Sequence, residues 1–238
     1  SRTSYTIPGG VTKIGKAAFS YAGNLKSIII PNGVTEIGES AFSDCENILN
    51  IKIPDSVTKI GQYAFKFCSS LISVTLPAGL EIIEDEVFYF CESLKSIAIP
   101  DSVTSIGETA FGSCTGLTSI KISDSMTVID GFAFYRCTNL TSVKIGSNVE
   151  SIGAYAFYGC ESLESIRIPK SVLQIGNNAF DCSDMDNNDF VIVGYKDTAA
   201  EAYASKNGFK FVDAQTHTHV FGEWKTVKAA TCKETGTK

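Results

Sequence analysis

Residues 1–216 contain no histidine; both histidines, the single tryptophan and the last cysteine all fall after Asp213. The commonest general base and the commonest metal ligand are therefore missing from nearly the whole chain. Basic charge is also scarce. With 20 Lys and Arg against 26 Asp and Glu the net charge is −6, so a general attraction to nucleic acid or anionic lipid is not expected and any basic site must be local. No apolar run reaches the roughly 18 residues of a membrane-spanning helix. Ser1 to Pro8 lacks the charged and apolar regions of a signal peptide, and the chain starts without Met, as an expressed or mature fragment would. No glycine-rich phosphate loop is present. The acidic residues Glu36, Glu39, Asp44, Glu46, Asp85, Glu86 and Glu92 fall on turns expected to face water, outside any enclosed pocket that would raise a carboxyl pKa. No catalytic residue, metal or cofactor is expected.

What is abundant is repetition. Ile7, Ile30, Ile53, Leu76, Ile99, Ile122, Ile145 and Ile168 recur every 23 positions. Fixed self-similarity at that period marks a solenoid, in which one unit cannot bury its apolar face alone and stacks on its neighbours. Each unit has three parts. The first, Leu25 to Pro31, alternates apolar and polar residues as a half-buried strand does, with Leu25, Ile28 and Ile30 inward and Ser27 and Ile29 outward. Pro31, Pro54, Pro77, Pro100 and Pro169 close it, because proline has no N–H for a continuing ladder. The second, with Val34 and Ile37, is a shorter β-branched alternation on another face. Gly38, Gly61, Gly107, Gly153 and Gly176 end it. Glu84 and Asp130 replace this glycine in two copies, and a local distortion is expected in repeat four, since Glu tolerates a left-handed turn less well than Asp. The third part spaces Ala41, Phe42, Cys45 and Ile48 like a short helical turn facing the core. An unbroken phenylalanine column runs through it from Phe19 and Phe42 to Phe180.

Eight cysteines suggest at first a disulfide framework. Cys45, Cys68, Cys91, Cys114, Cys137 and Cys160, however, share one repeat position, which Ala22 fills in the first copy. A position that accepts Ala and Cys calls for a small buried side chain. Parallel Cβ vectors on rungs about 4.8 Å apart suit a disulfide poorly, so reduced core thiols are expected, with a rung-to-rung bridge as the alternative. Cys182 falls one residue out of register.

After Cys182 the pattern breaks. A polar loop at 184–189 leads to strand-like Phe190 to Val193, then to a short helix over 198–207 capped by Asp or Thr and ended by Gly208, then to a last strand at Phe209 to Val212. The predicted fold is an α/β repeat solenoid, a leucine-rich-repeat right-handed superhelix of 23-residue rungs with stacked short parallel strands, single helical turns and a C-terminal cap. The predicted divisions are a solenoid at 1–186, a strand–helix–strand cap at 187–212, and a linker with the truncated start of a further module at 213–238. His217, His219 and Cys232 in that tail offer three candidate zinc ligands where a structural site needs four.

The pattern from Ile53 to Leu76, IPDSVTKIGQYAFKFCSSLISVTL, closely resembles the BspA-like leucine-rich repeats of bacterial cell-surface proteins, and the resemblance runs from about Tyr5 to Met185. YKDTAAEAYASKNGFKFV resembles the cap such arrays carry. HTHVFGEWKTVKAATCKETGTK resembles a Cys-containing module of large secreted bacterial proteins, in which Cys232 would find a disulfide partner beyond Lys238. The resemblance implies an extracellular or cell-surface location and an adhesive, non-enzymatic role toward a protein or glycan such as host matrix or another cell. It carries over no binding residue.

Candidate contact residues come from the outward positions. Lys121, Lys144 and Arg167 align as a basic stripe on the first-strand face, suited to an acidic partner or polyanionic glycan; the alternative is a solvated face that merely avoids edge aggregation. Tyr21, Phe67, Tyr89, Phe90, Tyr135 and Tyr158, with Tyr63 and Tyr155, form an aromatic scatter that either contacts a ligand or packs over the next rung. Tyr135 and Tyr158 are the strongest of these. The leading expectation is a monomer that binds a macromolecule through the solenoid face, with no nucleic-acid partner. Two alternatives remain: a structural spacer presenting other modules, and a scaffold for an enzyme carried elsewhere in a longer chain.

Overall fold

The computed structural model describes residues 3–181 and 190–215. It is a β-solenoid of about 9 stacked turns with ~23-residue spacing, parallel strands and very little helix. The eight regular rungs are numbered by their first strands, from Ser4–Thr6 in rung one and Ser27–Ile29 in rung two to Ser165–Arg167 in rung eight. First strands pair in parallel with those of the next rung at an offset of one repeat, as in Ser4↔Ser27 and Ser119↔Ser142, except between rungs two and three and between rungs five and six. Second strands, such as Glu36–Ile37 and Ser151–Ile152, form their own parallel column. Inward residues of both strand types are buried, apart from the partly buried Tyr5, Val143 and Ile175; Ile29 in the outward row is 61% exposed.

The third part of each rung is not the helical turn its spacing suggests. Its residues form successive single turns, and among the described residues the α-helix is Ala199–Asn207. In rung one, Ala18, Ser20 and Ala22 donate their N–H groups to carbonyls three residues back, whereas Ala17, Phe19 and Tyr21 donate forward to Glu39, Ala41 and Ser43 of rung two. An α-helix aims every N–H along its own axis, so it could not serve itself and a neighbour alternately. The reversal is made by left-handed residues at the first and last forward donors, as at Ala17, Tyr21, Ser40, Asp44, Tyr63 and Phe67, with φ between 53° and 61°. Most are not glycine, so each rung carries a backbone cost of about 1–2 kcal/mol per such residue.

The core explains how that cost is offset. Phe42, Phe65, Phe88, Phe111, Phe134, Phe157 and Phe180 are almost fully buried, and the column from Phe19 to Phe180 stacks with centroids 5.2–5.6 Å apart. The carbonyls of Phe19, Phe42, Phe65, Phe88, Phe111 and Phe134 each take the Sγ–H of a cysteine in the following rung, from Cys45 on Phe19 at 3.0 Å to Cys160 on Phe134 at 3.3 Å. Cys45, Cys68, Cys91, Cys114 and Cys137 are free thiols, all buried. Burial pushes the Cys45 thiol up to about 11 and Cys114 up to about 12, and raises Cys68, Cys91 and Cys137 well above the usual range. These thiols are core side chains with a donor, not nucleophiles.

The glycines after the second strand act differently from expectation. They are not left-handed; a Cβ on Gly38, Gly61, Gly153 or Gly176 would lie 2.3–2.8 Å from backbone of the preceding rung. Gly15, in the first described rung, has nothing within 4 Å. Glycines 38, 61, 107, 153 and 176 use this approach to donate to the preceding isoleucine carbonyl, and Glu84 and Asp130 do not make that bond. The second-strand ladder is interrupted between Lys59–Ile60 and Ile82–Ile83, and the first-strand ladder between Ser27–Ile29 and Asn50–Lys52 and between Ser96–Ile97 and Ser119–Lys121, so a break in the ladder is not particular to repeat four.

At the far end Val191–Gly194 pairs with Ser165–Arg167, and Lys210–Asp213 pairs with Val191–Gly194, both in parallel. The helix Ala199–Asn207 ends on Gly208 at φ 76°. Thr198 does not cap it; its hydroxyl donates back to the Tyr195 carbonyl at 2.6 Å, while Glu201 accepts from the Asp197 N–H at 2.7 Å. Cys182, the polar loop at 184–189, His217, His219, Trp224 and Cys232 lie outside the described residues.

Candidate functional site

The strand ladder brings the predicted basic residues together. Lys121 is the register partner of Lys144, and Lys144 of Arg167. One rung step is about 4.8 Å, so three cations stand in one exposed row. Beside the row, the Asp101 carboxylate lies 3.7 Å from Lys121. Asp124 is held below the usual carboxylate range, first by the N–H and hydroxyl of Ser147 and then by Lys144 and Lys121. Arg167 donates to the Tyr195 hydroxyl at 3.3 Å, and its guanidinium sits 5.9 Å from that ring's centre. Lys170 lies over the same ring at 4.5 Å. The contact with Tyr195, 28 residues on, is invisible to a 23-residue period.

The aromatic scatter resolves into two groups on the turn side. In rungs three and four, Phe67 meets Tyr89 and Phe90 at centroid distances of 5.8 and 5.3 Å. Lys66 lies 5.1–5.2 Å from the rings of Tyr63, Phe67 and Tyr89 and is paired with Glu86 at 2.6 Å. In rungs six and seven, Phe132 stacks on Tyr155 at 4.8 Å and Tyr135 on Tyr158 at 5.6 Å, with near-parallel planes. Within each rung the pairs Phe132 and Tyr135, and Tyr155 and Tyr158, meet edge to face. Arg136 covers Tyr135 at 5.5 Å. Tyr21, 78% exposed, stands outside both groups. Phe132, Lys66 and Arg136 were not among the expected contact residues, although Phe132 stands one repeat before Tyr155 and three residues before Tyr135.

Several turn carboxylates are committed to local partners. Glu36 pairs with Lys13 at 2.8 Å and Glu39 with Lys16 at 2.9 Å, while Asp85 accepts from the Glu108 N–H and the Gln62 amide. Burial, and then Asp85, raises the Asp130 carboxyl. Among the described residues no group of three or more His, Cys, Asp or Glu could hold a metal ion, and no helix is long and apolar enough to cross a membrane. Open hollows lie at the two ends of the stack, one by Tyr5, Phe19 and Leu25 and one by Leu173, Phe209 and Phe211.

A rigid stack presenting aligned side-chain rows is the architecture of a repeat protein with extended surfaces. The family model for the BspA type leucine rich repeat region matches residues 1–118 and 104–196, and the chain belongs to that family. A leucine rich repeat protein of T. pallidum has a similar structure, with 25% identity over 89% of this chain and 91% of its own and a TM-score of 0.55. A leucine-rich repeat protein from Bacteroides ovatus shares 25% identity over 88% of this chain and 83% of its own at a TM-score of 0.35. A leucine rich cell surface protein from Faecalibacterium prausnitzii shares 22% over 90% of this chain and 89% of its own at 0.37. Comparison with curated proteins returns no match.

Proposed function

We propose that this chain is a non-enzymatic, extracellular or surface-exposed interaction protein that binds a macromolecular ligand through its solenoid, with Lys121, Lys144 and Arg167 as the anionic-partner contact and Tyr135 and Tyr158 as aromatic contacts. The observation that carries this reading is the in-register row of three cations, with no acid at the same position of the other rungs, where Thr6, Ile29, Lys52, Thr75 and Ala98 stand. In a chain of net charge −6 such a row is a local exception. An acidic protein segment or polyanionic glycan, laid along the stack, would meet one cation per rung. Thiols kept protonated by burial form little thiolate and so resist oxidation; that suits an exported protein, as does the family's association with surface proteins. The same reading keeps residues 1–186 as solenoid, 187–212 as cap and 213–238 as the start of another module, in a monomer.

Charge reversal tests it. Lys144→Glu should weaken retention on heparin or an acidic matrix protein by about tenfold and leave the melting temperature unchanged. Equal retention of Lys144→Glu and the parent would favour the competing reading, a spacer that holds other modules apart.

A further inference from the structure

Two places on the turn side gather a cation with aromatic rings, and they differ in one respect. In rungs three and four, Lys66 lies among the rings of Tyr63, Phe67 and Tyr89 and is paired with Glu86 at 2.6 Å. In rungs six and seven, Arg136 lies over Tyr135, a member of the stacked group with Phe132, Tyr155 and Tyr158. The repeat position of Glu86 is filled there by Phe132 and Tyr155. Among the described residues Arg136 has no ion-pair partner, and it is exposed while the four rings are half-buried. Rung seven makes room for it. Gly159 stands where other rungs carry Tyr21, Asp44, Phe67, Phe90 and Ser113, and a Cβ there would lie 3.1 Å from Arg136 Cγ. The arginine stem therefore rests on bare backbone, with the guanidinium 5.5 Å from the Tyr135 ring centre. A side chain laid down in this way has less freedom to lose when it binds.

What this patch leaves exposed selects its ligand. Nucleobases and sugars bind aromatic side chains through the ring faces. Here the rings take up one another's faces: Phe132 with Tyr155 and Tyr135 with Tyr158 stack, and Phe132 with Tyr135 and Tyr155 with Tyr158 meet edge to face. Ring edges, phenol hydroxyls and the guanidinium remain. The edges carry the positive part of the ring quadrupole, and the hydroxyls and the planar guanidinium fork donate hydrogen bonds, so all three favour carboxylate and carbonyl oxygens. A long polyanion is disfavoured, because carboxylates stand on both sides along the stack: Glu86 two repeats before Phe132 and Asp181 one repeat after Tyr158. A single carboxylate set among carbonyl groups is what a protein segment offers, and Tyr and Arg are the residues enriched at protein-binding hot spots. We infer that Phe132, Tyr135, Arg136, Tyr155 and Tyr158 form a docking patch for a protein partner that sets one Asp or Glu against Arg136 and its adjoining backbone on the ring edges. Lys66, Glu86 and their rings show the same combination of cation, carboxylate and aromatics closed within the chain. The inference rests on the reading of Tyr135 and Tyr158 as contact residues and not on the basic row.

The test pans a phage-displayed random dodecapeptide library on the immobilised full chain and measures the enriched peptides, made synthetically, by fluorescence polarisation. Arg136→Ser and Tyr135→Ser introduce a residue type already present at the equivalent positions, Ser113 and Ser43, and their melting is checked alongside. The expected result is enrichment of peptides that share an Asp or Glu and bind about tenfold or more weakly to each of the two variants. Exchanging that acid for its amide should cost the parent a similar factor, and Lys144→Glu should change nothing. Polygalacturonate and heparin are run in parallel as anionic glycans. The inference is overturned if no peptide is enriched, if the enriched peptides bind Arg136→Ser or their own amide forms as well as before, or if Arg136 matters only for a glycan. Binding lost in Lys144→Glu but kept in Arg136→Ser supports the basic row and overturns the patch. The opposite outcome leaves the patch standing without the row.

Discussion

Two sets of aromatic rings run along this solenoid under different rules. The inner column, Phe19 to Phe180, has the same residue in every rung, and from Phe42 onward it is almost wholly buried. The outer rings, Tyr63 to Tyr158, skip rungs, are half-buried, and share their positions with Ala, Ser, Thr and Asn. Stacking geometry does not separate them, since Phe132 on Tyr155 is as parallel as Phe65 on Phe88, at 9° and 6°. What separates them is what each touches besides a ring. An inner ring lies enclosed in the core, and from Phe19 to Phe134 its backbone carbonyl receives the next rung's thiol; an outer ring meets other outer rings and, at Tyr63, Phe67, Tyr89 and Tyr135, a cation. The repeat therefore constrains only the surface on which the next rung must pack.

The sharpest way to break that comparison is truncation. Phe111→Ala should cost about 3–5 kcal/mol as a core cavity, whereas Tyr135→Ser should cost less than about 1 kcal/mol as a surface change. Urea unfolding of the two variants measures both, and equal losses would erase the distinction between inner and outer rings. Titration separates the same regions. The buried thiols have raised folded-state pKa values, so their contribution is complete below about pH 8.5, the unfolded value, and is lost as pH rises toward the folded values. Stability should hold from pH 6 to 8 and fall between about 8.5 and 11. Replacing one thiol, Cys114→Ala, should make that limb shallower by up to about 1.4 kcal/mol per pH unit. A limb unchanged by the substitution would mean that the thiols do not drive it.

Smaller effects sharpen the contrast between what a rung needs and what it merely carries. Glu84→Gly should restore the missing bond to the Ile60 carbonyl and gain about 0.5–1.5 kcal/mol, read as a higher urea midpoint and as slower exchange of the residue 84 amide. Thr109→Asn places at φ 57° a residue type that Asn178 already shows at φ 54°, and should gain up to about 1 kcal/mol by relieving a β-branched side chain on left-handed backbone. A loss of stability there would show that Thr109 packs against its neighbours more usefully than its backbone suggests.

Much of the fold is legible in the sequence because a solenoid repeats its own constraints. Every apolar column, the cysteine position and the cap of strand, helix and strand follow from the period and from residue size. The turn was misjudged for a physical reason: Ala41, Phe42, Cys45 and Ile48 have helical spacing, but a helix cannot give alternate N–H groups to a neighbour. The glycines were given the wrong cause, because their constraint lies in the backbone of another rung. Of the candidate site, the alignment of Lys121, Lys144 and Arg167 was readable by counting. The Arg167 contact with Tyr195 and the cage around Lys66 were not, since each depends on which way a long side chain leans between rungs.

By itself, then, the sequence determined the period and the identity of the buried columns, since these follow from apolar spacing and chain connectivity. Only the tertiary structure decided the conformation of the turns, the purpose of the glycines and the gathering of the outer rings into two groups. Those depend on what the adjacent rung offers at contact distance, and that is a property of the stack rather than of any single repeat.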